Sequence, residues 1–183
     1  PDVILVGEIR DKETAESACQ AAQTGHMVFT TVHANDTITA VARLIDLGVA
    51  PFLVSNALTA VVGQRLVRVL CPKCKVAYKP NPEMLRKANL PVDKIKHFHR
   101  PPEPGETKGR CKRCGATGYH GRTGVFELLV ITDPIRDLIR ESPNLNAIRQ
   151  EAIKNGMTLL QEDGLRQVIE GTTSIQELLR VCK

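Results

Sequence analysis

Apolar positions along this chain of 183 residues fall into two patterns, short unbroken runs and longer stretches with helical spacing. Val3 to Val6 is a run of four apolar residues, three of them β-branched, which suits a strand buried on both faces of a parallel sheet. Met27 to Val32 repeats the arrangement. Between them Asp11 is placed to cap a helix whose apolar positions Ala15, Ala18, Cys19 and Ala22 follow helical spacing, with Gly25 as its stop. A second helix is expected to start at Asp36, bury Val41, Leu44 and Ile45 and end at Gly48, after which Pro51 opens a short helical piece. VVGQRLVRVL then predicts a strand with polar outposts at Arg65 and Arg68. The alternation of strand and helix is that of an α/β protein.

From Cys71 to Gly124 the periodicity disappears and prolines and glycines multiply, so a loop-rich insert with a thin core is expected, in need of a cross-link. VFELLVI returns as a strand. Helices with clear starts follow: Pro134 fits a first helical position ahead of Ile135, Leu138 and Ile139, and Thr158 with Gln161 and Ser174 with Glu177 have capping-box spacing. The chain therefore reads in three parts: residues 1–70, the insert 71–124, and a return strand with a small helical bundle over 125–183.

Composition sharpens this division. A hydrophobic content of 42% permits a real core. No apolar run approaches the roughly 20 residues that span a bilayer, and no signal-peptide pattern is present, so a soluble protein is expected. The chain opens on Pro1 and runs straight into a core strand, as the rear part of something longer would. Residues 1–70 carry 5 basic and 7 acidic side chains, residues 71–124 carry 13 and 4, and residues 125–183 carry 7 and 9, so the formal net charge of +5 arises in the insert.

The insert also holds Cys71, Cys74, Cys111 and Cys114 as two CxxC pairs. A tight turn in each lets both sulfurs face one tetrahedral ion, for which Zn2+ is the natural occupant. Disulfides or a redox dithiol are the alternatives, the first disfavoured without a secretory context and the second needing only one CxxC. The 36 residues from Lys75 to Arg110 exceed usual ribbon spacing. Cys19 and Cys182 read as packing residues. With zinc bound to four thiolates the insert keeps a charge of about +7, which fits either solvated surface or an anionic partner. Membrane head groups suit it better than nucleic acid, because Tyr78, Phe98 and Tyr119 form no base-stacking pattern. Lys94, Lys96 and Arg100 would carry a membrane contact.

The candidate chemistry lies at the ends of the first two strands. Gly7 and Glu8 follow Val6, and His33 follows the second run; ligands of open α/β sheets gather where strands end, so Glu8 stands where a catalytic acid is useful. VILVGEIRD, AAQTGHMVFTTVHAND, QRLVRVLCPKC and GRTGVFELL, in that order, resemble the C-terminal half of the secretion ATPase superfamily, whose nearest branches are the type II secretion and type IV pilus assembly ATPases. The paired cysteines favour the secretion and pilus-extension branch over the retraction branch. The resemblance implies the second half of a RecA-like P-loop ATPase core using ATP and Mg2+. In it Glu8 is the Walker B glutamate that prepares the attacking water, and His26 and His33 form a histidine box in which His33 reads the γ-phosphate. Arg10, counted with the nucleotide-binding residues, pairs with Asp11 to position the strand exit in the favoured reading and contacts a neighbouring subunit in the other.

No G-x-x-x-x-G-K-[S/T] occurs in the sequence, so the chain alone is expected to be inactive. The resemblance further implies a cytoplasmic motor forming a hexameric ring, peripheral at the inner face of the bacterial inner membrane and acting on an inner-membrane platform protein. The competing reading is a zinc-ribbon module for nucleic acid or protein, with the α/β part as scaffold. His97, His99 and His120, in the basic insert, have no role beyond that of substitute metal ligands.

Overall fold

The computed structural model describes residues 1–87, 95–106, 109–141 and 144–182, apart from the side chains of Met84 and Lys87. By contact the chain divides into two units. One holds Pro1–Gly63 and Glu127–Thr158, the other Gln64–Phe126 and Leu159–Lys183.

The first unit opens with strand β1 (Val3–Val6), helix α1 (Lys12–Gln23) and strand β2 (Met27–Thr30), and the two strands pair in parallel with Val3 opposite Met27 and Leu5 opposite Phe29. Asp11 caps α1, its carboxylate accepting from the Thr14 N–H at 2.9 Å. Thr24 is the C-cap residue and Gly25, at φ +99°, takes the left-handed turn that follows. Helix α2 (Thr37–Asp46) is capped by Asp36 in a full capping box with Thr39, and Pro51 sits in the first turn of α3 (Pro51–Ala57). Helices α5 (Asp133–Glu141) and α6 (Leu145–Lys154) complete the unit, whose core gathers Ala15, Ile38, Val41, Val54, Ile139 and Ile148, all fully buried or within 1% of it. Each fully buried aliphatic here contributes about 1.5–3 kcal/mol.

Burial of β1 on both faces is not what the fold shows. Val3 and Leu5 are 57% and 78% exposed, and Met27 and Phe29 share their face. Only the face carrying Ile4, Val6 and Val28 is covered, because helices pack against one side of the pair.

The second unit contains a core of its own around Val67, Leu85, Phe98, Val125, Leu160, Val168 and Leu178. The insert is less irregular than its sequence suggests: β4 (Val76–Tyr78) pairs antiparallel with β5 (Phe98–Arg100), and α4 (Pro82–Lys87) lies between them in sequence. Fully buried Phe98, edge-on to Tyr78, lets this small sheet share a core with α7 (Leu160–Ile169) and α8 (Ile175–Val181). Strand β3 (Ala60–Leu70) pairs with β6 (Tyr119–Val130), and the boundary between units falls after Gly63 on one and after Phe126 on the other. The four tail helices, expected as one bundle, are divided: α5 and α6 belong to the first unit, α7 and α8 to the second.

Two capping expectations shift. The box of α7 is set one residue later than Thr158–Gln161, since Glu162 reaches back to the Leu159 N–H at 2.9 Å. Ser174 does cap α8 by accepting from the Glu177 N–H, but the Glu177 carboxylate turns away to two arginines. No helix among the described residues is long and apolar enough to cross a membrane.

Candidate functional site

Glu8 leaves the end of β1 with 19% of its side chain exposed, and the side chains of Arg10 and His33 meet it there. Arg10 donates from Nε to Glu8 Oε2 at 2.6 Å, and His33 Nε2 lies in ion-pair contact with Oε1. The Arg10 hydrogen bond, working against partial burial and aided by the charges of Arg10 and His33, holds the Glu8 carboxyl below its usual range. The strand exits are tied by backbone: the Ile9 N–H donates to Thr31 O at 3.0 Å and the Thr31 hydroxyl to Gly7 O at 2.7 Å. These bonds tie Thr31, just past β2, to Gly7 and Ile9 beyond the end of β1, close to where His33 meets Glu8.

His26 stands elsewhere. Its Nδ1 lies 3.0 Å from Ala21 O and 3.2 Å from the Thr24 hydroxyl, so it closes the C-terminal end of α1 and steadies the entry to β2. Glu8, Arg10 and His33 form one cluster, and His26 supports the strand that delivers His33. An open groove of about 560 Å³ runs from His33 past Asn35, Thr39, Arg43 and Asp46 to Leu145.

Sequence reasoning passed over the residues that hold the next turn of chain. Glu127, 2% exposed on β6, accepts from both the Thr37 N–H at 3.0 Å and the Thr37 hydroxyl at 2.5 Å. Arg149 of α6 donates to the capping Asp36 at 2.7 Å. A signal existed in principle, since Glu127 is in phase with buried Val125 and Leu129. Phe126, Leu128 and Val130 are apolar as well, however, and hide which face is the inner one.

In the second unit the four insert cysteines come together. Their sulfurs all lie within 4.8 Å of one another, with Cys71–Cys111 at 3.9 Å and Cys74–Cys114 at 3.6 Å. A tetrahedron of thiolates at Zn–S distances of about 2.3 Å has edges of about 3.8 Å, so the set fits zinc and is far too open for disulfides. Matching turns build it: Lys75 N–H donates to Cys71 O and Gly115 N–H to Cys111 O, each at 2.9 Å. Gly115, Ala116 and Gly118 all have positive φ in the second turn. Burial, reinforced by the neighbouring thiols, raises Cys74, whereas Cys114 is drawn down against its own burial by the Gly118 N–H and the adjacent sulfurs. Four sulfurs this close ionise together only around a cation.

The arginines of this unit are mostly engaged. Arg68, read from the sequence as a polar outpost of β3, lies over the Tyr119 ring at 4.1 Å and donates to buried Glu177 at 2.6 and 3.0 Å. Arg100 is held by Glu106 at 2.6 and 2.7 Å, Lys96 is exposed, and Lys94 lies outside the described residues. Cys19 and Cys182 are buried, and burial raises both thiols.

The sequence profile of the family described as Type II/IV secretion system protein matches residues 1–180. The chain belongs to that family. It is 46% identical over 179 residues to the Type IV pilus assembly ATPase PilB of Thermus thermophilus, covering 98% of this chain and 20% of that protein. It is 44% identical over 183 residues to Type II secretion system protein E of Pseudomonas aeruginosa, covering all of this chain and 35% of the relative. The chain thus spans between a fifth and about a third of these relatives. Among solved structures, the pilus retraction motor PilT with bound ADP superposes with a TM-score of 0.62 at 25% identity, over 98% of this chain and 39% of that one. The Legionella pneumophila ATPase DotB gives 0.63 at 21% identity over 98% of this chain and 38% of that one, a likeness of fold.

Proposed function

We infer that these residues are the C-terminal part of the ATPase domain of a motor that couples ATP hydrolysis to type II protein secretion or type IV pilus assembly. The observation that carries this reading is the meeting of Glu8 and His33 at adjacent parallel strand ends, inside a chain whose relatives include a type IV pilus assembly ATPase and, at 40% identity, the type II secretion system ATPase E of Vibrio cholerae.

In this reading Glu8 orients the attacking water and takes its proton, and His33 contacts the γ-phosphate. Mg2+ supplies charge neutralisation of the phosphates when bound, and Glu8 is the carboxylate placed to reach its water shell. Arg10 and His33 contact the two Glu8 oxygens, so the carboxylate is engaged; a triphosphate competes for these two side chains and frees it. His26 acts through the α1–β2 corner. The half-covered parallel pair supports a RecA-like core, because sheets of this kind are covered on both faces and the open side carries Val3, Leu5, Met27 and Phe29. No phosphate-binding loop occurs within these 183 residues, so this stretch by itself does not turn over ATP.

The three-part division is kept as a functional one: ATPase half-core in residues 1–70, zinc module in 71–124, and return strand with helices in 125–183. Cys71, Cys74, Cys111 and Cys114 hold structural Zn2+. A hexameric ring at the cytoplasmic face of the inner membrane, acting on a platform protein with the basic module towards anionic head groups, completes the reading.

The test is Glu8→Gln in an ATPase-competent longer form. Turnover is expected to fall by about 10²–10⁴-fold while nucleotide binding persists, measured by phosphate release and by fluorescent nucleotide titration. Turnover at the parent rate would refute the assignment.

A further inference from the structure

The proposed catalytic cluster makes no use of Glu127, although a carboxylate 2% exposed is costly unless it is fully engaged. Its partner is the start of α2. The first N–H groups of a helix lack intrahelical acceptors and carry partial positive charge. Asp36 takes the Thr39 N–H at 2.7 Å, and Glu127 takes the Thr37 N–H at 3.0 Å together with the Thr37 hydroxyl. Two carboxylates therefore share one helix end: Asp36 is balanced by Arg149, while Glu127 reaches across from a strand 90 residues away in sequence. Fit around it is close, since a Cβ at Gly63 would press on Thr37 Cγ2 at 3.3 Å and touch Glu127 Cβ at 3.6 Å.

Three residues separate Thr37 from His33, and the intervening chain is fixed at both ends. At its start, the Thr31 backbone and hydroxyl are bonded to the Gly7–Ile9 strand exit. At its end, Thr37 is bonded to Glu127. His33 itself is 90% exposed, so no packing of its own ring sets its place.

We propose that Glu127 is a positioning residue: by holding the first residue of α2 to β6, it sets the reach of the His33 loop and hence the contact of the His33 ring with Glu8. Its relevance to catalysis rests on the ATPase reading above, but the positioning does not. Glutamine at 127 keeps an acceptor in place for both Thr37 donors, whereas alanine removes it, and Thr37→Val removes one donor with almost no change of volume.

The experiment is NMR of this chain with labelled histidine side chains, comparing Glu127→Gln, Glu127→Ala and Thr37→Val. Glu127→Ala and Thr37→Val are expected to move the His33 ring resonances and weaken the nuclear Overhauser contact between the ring and the Glu8 methylenes. The His26 ring, at the other end of β2, stays in place, and Glu127→Gln stays close to the parent. His33 resonances and the Glu8 contact unchanged in folded Glu127→Ala, or in Thr37→Val should the alanine variant not fold, overturn the proposal. In an ATPase-competent longer form the same loss of register costs about 10–100-fold in kcat, with KM moved much less. Full turnover in His33→Ala there would remove the γ-phosphate role of His33 while leaving the NMR result to judge the positioning.

Discussion

Glu177 shows how much one buried side chain is asked to do. It is 1% exposed and takes bonds from Arg68 Nε and Nη2 and from Arg180 Nε and Nη2, and its Oε1 also accepts the Arg68 backbone N–H at 3.0 Å. Burial alone would raise its carboxyl, but the Arg180 and Arg68 hydrogen bonds outweigh it and bring the group down to about 2. A folded-state value below the unfolded one means that stability is present above about pH 4.5 and is lost as pH falls from there towards about 2. Allowing for screening of the two half-exposed guanidiniums, the loss is about 2 kcal/mol. Urea melts of the parent and of Glu177→Gln between pH 7 and pH 3 check this: the parent should lose stability across the window, and the variant, already weakened at pH 7, should have a flatter profile. None of this was legible in the sequence, where Glu177 read as the third residue of a capping box. Local spacing does not reveal an arginine 109 residues away.

At the scale of elements, the sequence was read best where one local rule decided the outcome. Asp11, Asp36 and Ser174 cap the helices expected of them, because a short polar side chain ahead of an apolar helical pattern has one good use. The two CxxC turns also declared themselves, since each spacing lets its two sulfurs face one ion, and the fold brings the two pairs together. Legibility failed where long-range packing chose. β4 and β5 are three residues each and exist because Phe98 reaches a core supplied from Val67 and α7–α8. β6 has apolar residues on both faces, so neither buried Glu127 nor the inner face could be picked from periodicity. The second knuckle offers a sharper test of the local rule. Gly118 has φ +73°, its carbonyl accepts from Cys71 N–H at 2.9 Å, and a Cβ there would run into Pro101. Gly118→Ala should cost about 1–3 kcal/mol and loosen the thiolate set, read as a lower melting temperature and weaker zinc retention against a chelating dye.

At the scale of the whole molecule, the two hydrophobic cores have no residue in common: one runs from Ile9 to Ala152, the other from Val67 to Cys182. The four cysteines lie in the second unit alone. A structural zinc bound only by the folded form adds its binding free energy to the unit that holds it. Chelation should therefore act on one unit and spare the other. In hydrogen exchange with and without a strong chelator, amides of β4, β5 and the two knuckles are expected to lose about 10-fold or more in protection, with α7 and α8 following because Phe98 and Leu85 share their core. Amides of α1, α2 and α5, packed around Val41, Val54 and Ile139, should keep theirs, as should the Glu8–His33 contact. Protection unchanged in the second unit would deny zinc a structural role there. Equal loss in both units would mean that they unfold as one body, in which case the site at the strand ends depends on metal bound well outside its own core.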